Sequence, residues 1–405
     1  MTEPDPMLQR KVLDPLWEFL HDEAAGGIVL VLAAVVAVIW ANSSFSGSYE
    51  SLWGFRLTLG RGSLSVTEDL QHWVNDGLMA IFFFVVGLEI KRELVIGELR
   101  DRRAAVLPAV AAVGGVVLPA LIFVALARGE ASSGWGIPMA TDIAFAVGVL
   151  ALLGSRVPAG AKLLLLTIAI VDDIIAITVI AIFYSGGVSI GWLAASVAGL
   201  LIVVGLRRMG VHAIWPYVVV GVGVWLATLE SGVHATIAGV ALGLLTPAGK
   251  VSGRDVLSTL EHRLHPYSAF AIVPLFALAN AGVDFRGGLL GQATSNSLTW
   301  AIAAGLLLGK IIGISAAVGI CVRTGLGRLP DGVQAVHVVG VAAVAGIGFT
   351  VSLFIAELAY DQDELVQTAK VGIFFGSIAA AVLGAAILLI VGRRQSASSV
   401  SMQNN

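Results

Sequence analysis

Three aspartates, Asp142, Asp172 and Asp173, stand inside an otherwise apolar stretch that runs from Ile137 to Phe183. An aspartate at the middle of a membrane-spanning segment is disfavoured by roughly 3 kcal/mol even on the mild insertion scale, so such residues are tightly paired or chemically active. Asp172 and Asp173 are consecutive, and on a helix their side chains diverge by about 100°, so they cannot both face one neighbour. One can meet a partner while the other lines a water-filled cavity. The sequence supplies one cation for the interior, Lys310, at the middle of the tenth apolar run. A pair between Lys310 and Asp172 or Asp173 is the least costly arrangement.

One lysine cannot neutralise three aspartates, which argues against a static ion pair that only fixes packing. The excess carboxylate must be protonated or hold a cation. Burial disfavours the charged forms of acids and bases alike, so groups of this kind exchange protons near neutral pH. Sodium accepts carboxylate, hydroxyl and carbonyl oxygens, and Thr141 next to Asp142 adds such an oxygen. Protons and sodium then compete for one site.

The elements that must hold these residues follow from hydropathy. The chain has 405 residues, 57% of them hydrophobic and 13% charged, with a mean hydropathy of +0.92, far more apolar than a soluble domain. Its uncharged runs are about 20 residues long, the length of a helix that crosses a roughly 30 Å hydrocarbon layer rather than of a barrel strand. Twelve runs are predicted as helices: 16–41, 67–94, 104–127, 132–153, 159–184, 189–207, 214–228, 232–247, 260–281, 297–322, 335–360 and 366–391. The beginning lacks a short apolar core with a small-residue cleavage site, so the first run is expected to be a retained helix. Between the first two runs, Asn42 to Glu68 is polar, and its RLTLGRGSLSV segment alternates around a glycine turn as a small hairpin outside the lipid would.

Eighteen of the 24 lysines and arginines fall at one side of these runs and five at the other, which places both termini in the cytoplasm. Lys162 is counted among the first group and Lys370 among the second. A net charge of -3 argues against nucleic acid as a partner, and the single Cys321 excludes an intrachain disulfide and offers no metal cluster, so no resident cofactor is expected.

Two of the runs carry weak points. Pro138 denies the fourth a backbone donor and frees a carbonyl just before Thr141 and Asp142. The eleventh carries Gly346, Gly348 and Thr350 near its middle. Paired interrupted segments point to a transporter site, and an anion at exposed helix N-termini or a cation at exposed C-termini offsets the stray dipole ends, roles that suit Asp142 and Lys310.

The segments WVNDGLMAIFFFVVGLEIKREL, MATDIAFA, AIVDDIIAI, GVHATIAGV, LHPYSAFAIVPLFALANAG, GLLLGKIIGI and AGIGFTVSLF resemble the NhaA-type sodium/proton antiporters, over roughly residues 10 to 392. The resemblance implies an all-α polytopic membrane protein of about 12 transmembrane helices. Helices 3–5 and 10–12 would be inverted-topology repeats, and helices 4 and 11 would cross as broken segments. It implies that Asp172 and Asp173 bind ions and protons, with Asp173 as the sodium ligand, Thr141 and Asp142 close by, and Lys310 on Asp172 when no ion is bound. It also implies a homodimer with the hairpin at its interface, in the bacterial cytoplasmic (inner) membrane. The activity implied is exchange of sodium or lithium for protons, without an enzymatic step. If both aspartates take part, more protons than sodium ions move per cycle and transport is electrogenic.

His234, near the start of the eighth run, is a candidate pH sensor, since histidine titrates nearest physiological pH, and equally a histidine hydrogen-bonded at a helix end. Glu89, Arg92 and Glu93, with Glu261, His262 and His265, read on their own as a solvated rim. The resemblance makes them the pH-sensing region. Two other classes compete. An intramembrane aspartyl protease needs a Gly-x-Gly-Asp context that none of the three aspartates has, and an uncoupled channel differs in that its flux neither saturates nor drives protons uphill.

Overall fold

The structure is a computed structural model that describes residues 14–59, 66–211, 213–251, 254–286 and 288–403. It is an all-α polytopic membrane protein. Six helices are long and apolar enough to span a bilayer, and eight spans result if each of two bent pairs is one. Each of the twelve predicted runs contains helix, but besides the two bent pairs four do not meet that length and composition as continuous helices. Two are short: α8 (Trp215–Glu230) and α9 (Thr236–Leu245). The other two contain π turns. One joins Trp73–Leu78 to α3 (Met79–Val95), and the other joins α10 (Val256–Tyr267) through Ser268–Ile272 to α11 (Val273–Asn280).

Contacts divide the chain into two units. The second holds Ala33–Arg100 and Ile174–Gly287. In it, the end of α1 (Asp14–Asn42), from Ala33 onward, and a short α2 (Ser46–Trp53) lead to a hairpin in which β1 (Arg56–Leu59) pairs antiparallel with β2 (Val66–Asp69), Arg56 opposite Asp69. The alternating segment thus forms the expected strands, and its turn at 60–65 lies outside the described residues, as do Arg10, Lys11 and Arg61. β2 takes residues 66–69, so the second helix starts at Leu70 rather than at 67. A two-residue hairpin, β3 (Lys250–Val251) and β4 (Arg254–Asp255), precedes α10.

The first unit holds the chain up to Leu32, Asp101–Asp173, and from Gly288 onward. One order of elements occurs twice in this part of the chain. A long helix α4 (Arg102–Leu126) is followed by a broken segment, the 3₁₀ run Gly129–Met139 with α5 (Ile143–Leu153), and then by long α6 (Ala159–Phe183), whose residues after Asp173 belong to the other unit. After α7 (Ile190–Arg208) and the elements above, a short α12 (Leu289–Ser295) precedes the second occurrence. There, α13 (Ser297–Ala304), a π turn at Gly305–Gly309 and α14 (Lys310–Arg323) form one span. The broken pair α15 (Ala335–Val344) and α16 (Phe349–Ala359) follows, then α17 (Asp363–Gln403). The broken pairs bend by 48° and 49°.

A glycine stripe brings the two long helices together. A Cβ on Gly309 would lie 2.6 Å from Pro119 Cα, and one on Gly313 would lie 2.2 Å from Gly114 O. Small residues at four-residue spacing let membrane helices approach backbone to backbone, and this approach sets the depth at which Lys310 enters the unit.

Candidate functional site

Each break is dictated locally. Pro138 lies in the last turn of the 3₁₀ run, which ends at Met139, Ala140 is extended, and Asp142 (φ −84°, ψ 100°) takes the N-cap position of α5, its Oδ1 accepting from the Phe145 N–H at 3.0 Å. In the other break, a Cβ on Gly346 would meet Leu306 O at 2.3 Å, and one on Gly348 would meet Ser352 Oγ at 2.2 Å and Ala140 O at 2.9 Å. Side chains are excluded there because two other segments of backbone pass through the same space.

The two breaks cross and satisfy each other. The Asp142 N–H donates to Ile347 O at 2.6 Å, and Asp142 Oδ2 accepts from the Thr350 N–H at 2.9 Å and from Thr350 Oγ1 at 2.6 Å. Ser352 Oγ donates to Ile137 O at 2.7 Å. Asp142 therefore caps α5 and the first turn of α16 with one carboxylate, where negative charge opposes the positive ends of both helix dipoles. Phe349 packs edge-on against Phe145 and stacks on Phe374, closing apolar surface over the crossing.

Lys310 opens α14 immediately after its π turn, and such turns recur at functional sites. Its Nζ donates to Asp172 Oδ2 at 2.6 Å and to Thr141 Oγ1 at 3.0 Å. The Thr141 hydroxyl lies 2.7 Å from the same Asp172 oxygen and 2.8 Å from Ala345 O, the last turn of α15, and has one hydrogen to give. Asp172 Oδ1 is buried with no hydrogen-bond partner among the described residues. A buried acceptor in that condition needs an explanation, and a proton or a cation on the carboxylate is one. Asp173 follows, 9% exposed against 1% for Asp172, with its side chain about 100° further round α6.

The structure thus brings Thr141, Asp142, Asp172 and Lys310 into one connected group, with Asp173 at its edge. It corrects one expectation. Lys310 is not the only buried cation, because Lys162 (1% exposed) and Lys370 (3%) are buried as well. Lys162 lies in the first turn of α6, and Lys370 lies in α17 with its Nζ 2.8 Å from Glu357 Oε1. Both are close enough to the ends of their helices to have been counted as loop residues. Sequence reasoning also left Thr350 outside the site, although its place after a glycine break mirrors that of Thr141 after a proline break.

The remaining candidates lie in the other unit. Arg92 donates to Glu261 at 2.5 Å and to Glu93 at 3.2 Å, with Glu261 buried. Glu89 and His265 are half-buried and His262 is exposed. His234 Nε2–H donates to the carbonyl of Tyr184.

Residues 17–388 match the sequence profile of the family described as Na+/H+ antiporter 1. A relative from Frankia alni, Na+/H+ antiporter NhaA 3, is 47% identical over 410 residues, covering 93% of this chain and 89% of its own. NhaA 2 of Erythrobacter litoralis and NhaA of Mesorhizobium japonicum are each 47% identical, with 95% of this chain and 96% of the relative covered.

Proposed function

Because this chain belongs to the Na+/H+ antiporter 1 family, we propose that it exchanges sodium or lithium ions for protons across the bacterial cytoplasmic membrane, with both termini inside. The observation that carries the reading is the one-sided hold on Asp172: Lys310 and Thr141 both engage Oδ2, and Oδ1 is buried with no hydrogen-bond partner among the described residues. A carboxylate held in this way suits an exchanging site better than a structural ion pair, which gains from satisfying every lone pair.

In the proposed cycle, a sodium ion enters at Asp173, the more accessible aspartate, and is shared with Asp172 and the Thr141 hydroxyl. Its charge competes with the Lys310 ammonium for Asp172, and protons leave the aspartate pair as the ion is held. After the site becomes accessible on the other side, protons return and the ion departs. Two acids exchanging against one monovalent ion move more protons than sodium, so the cycle carries charge. Asp142 takes no ion in this reading. Its charge balances the two helix ends that the crossing leaves open.

The Arg92, Glu93 and Glu261 cluster with Glu89, His262, His265 and His234 is the proposed pH-regulating region, and the hairpin of β1 and β2 the proposed contact between two copies in a homodimer. Purified protein in liposomes, given a sodium gradient and an internal pH dye, tests the reading: sodium-driven proton movement that saturates is expected, and flux that never moves protons uphill means a channel. Asp173→Asn is expected to abolish coupling, and unchanged coupling would remove Asp173 as the carrier. Lys310→Ala is expected to displace the pH profile of transport more than it abolishes ion binding.

A further inference from the structure

The first unit holds a second buried lysine on a carboxylate. Lys370, near the start of α17, lies 2.8 Å from Glu357, whose side chain keeps 19% of its surface exposed. Glu357 sits in the last turn of α16, where negative charge opposes the helix dipole. It follows Thr350 by seven residues, two turns along the same face of that helix, or about 10 Å along its axis. Three residues before Lys370, on the same face of α17, Gln367 has an amide oxygen that is buried with no hydrogen-bond partner among the described residues.

A pair that serves packing alone gains nothing from a carboxylate set against a helix dipole or from an unsatisfied amide oxygen one turn before Lys370 on the same face of α17, and each is a cost. A hard monovalent cation that takes the place of the ammonium uses both oxygens. We propose that Glu357, Gln367 and Lys370 form a second alkali-cation station at the end of α16, where sodium or lithium displaces the Lys370 ammonium from Glu357 and binds its carboxylate with the Gln367 amide oxygen. The station's place on the transport route rests on the antiport reading, in which basic-residue bias puts this end of α16 outside. Its ability to bind an ion does not.

Sodium-induced infrared difference spectra of the full-length protein in lipid bilayers test binding directly. In Asp172→Asn/Asp173→Asn a carboxylate band that responds to sodium is expected to persist, and it is expected to vanish when Glu357→Gln and Lys370→Met are added together, a combination that leaves no unpaired charge. Loss of the response already in Asp172→Asn/Asp173→Asn, or its survival without Glu357, overturns the proposal. In liposomes of known orientation, Glu357→Gln/Lys370→Met is expected to raise half-saturating external sodium about fivefold, roughly 1 kcal/mol, with the internal value unchanged and Glu357→Asp close to the parent. Equal values on both sides would mean a structural pair. A protein that shows the second band but no sodium-driven proton movement would retain the station and lose the antiport reading.

Discussion

Lys310 Nζ reaches Asp172 Oδ2 across 2.6 Å, and the two side chains are 0% and 1% exposed. Removing one member of a buried pair leaves the other charge uncompensated, at about 3–5 kcal/mol, whereas replacing both by neutral groups of similar volume is close to neutral. Lys310→Met is therefore expected to lower the thermal unfolding midpoint in detergent, and Lys310→Met/Asp172→Asn to recover most of the loss. A double variant as unstable as the single would mean that Lys310 contributes by packing and not by charge.

Thr350 holds Asp142 through its hydroxyl as well as its backbone N–H. Thr350→Val keeps the shape and the N–H and deletes a hydrogen bond to a charged acceptor, a change of about 1.5–3 kcal/mol. Thermal unfolding should register that loss, with transport impaired beyond it because the crossing is less well defined. An unchanged midpoint would show that the backbone contact alone suffices.

The stripe on α13 and α14 makes a graded prediction. Gly309→Ala and Gly313→Ala each drive a methyl group into backbone, Pro119 Cα in one case and Gly114 O in the other, and backbone yields less readily than a side-chain end. Each should destabilise by about 1–3 kcal/mol or more. Gly319→Ala, with nothing within 4 Å of the added atom, should instead stabilise by up to about 1 kcal/mol through helix propensity. Chemical denaturation of the three variants ranks them.

In the loop after α11, Asp284 accepts from Arg286 by side chain and backbone, and its carboxyl is held below the ordinary 3.8, at about 2. A depressed carboxyl contributes stability that is complete above its ordinary value and disappears as pH falls through about 2. Both side chains are nearly half exposed, so the effect is local. Carbon-13 titration of Asp284 should give a midpoint near 2 that moves up in Arg286→Gln, while the global unfolding midpoint of that variant stays in place. A midpoint indifferent to Arg286 would refute the assignment.

The sequence made much of this site readable because charge in an apolar run is conspicuous. Asp142, Asp172, Asp173 and Lys310 each break a hydropathy pattern, and Pro138, Gly346 and Gly348 break a helical one. The π turns before Lys310 and α11 leave no such trace, since an inserted residue hardly alters mean hydropathy. Thr350 was legible as part of the break at 346–350 but not as a site residue, because its importance comes from the crossing that sets its hydroxyl against Asp142. Lys162 and Lys370 were misplaced because a residue within two turns of a helix end reads as interfacial, while burial there is decided by the neighbouring elements. The paired strands after α2 were legible from alternation, but where the second helix begins was not, because Val66 to Asp69 suits either structure.

The single carboxylate of Asp142 that serves two helix ends has a consequence for how the core comes apart. Separate caps would let α5 and α16 fray independently. With one shared acceptor, a fluctuation that releases the Thr350 amide also weakens the hold on the Phe145 amide, since both depend on the position of the same side chain. Local opening of the two broken segments is then one event with one free energy, and hydrogen exchange at these two amides should proceed at matched rates.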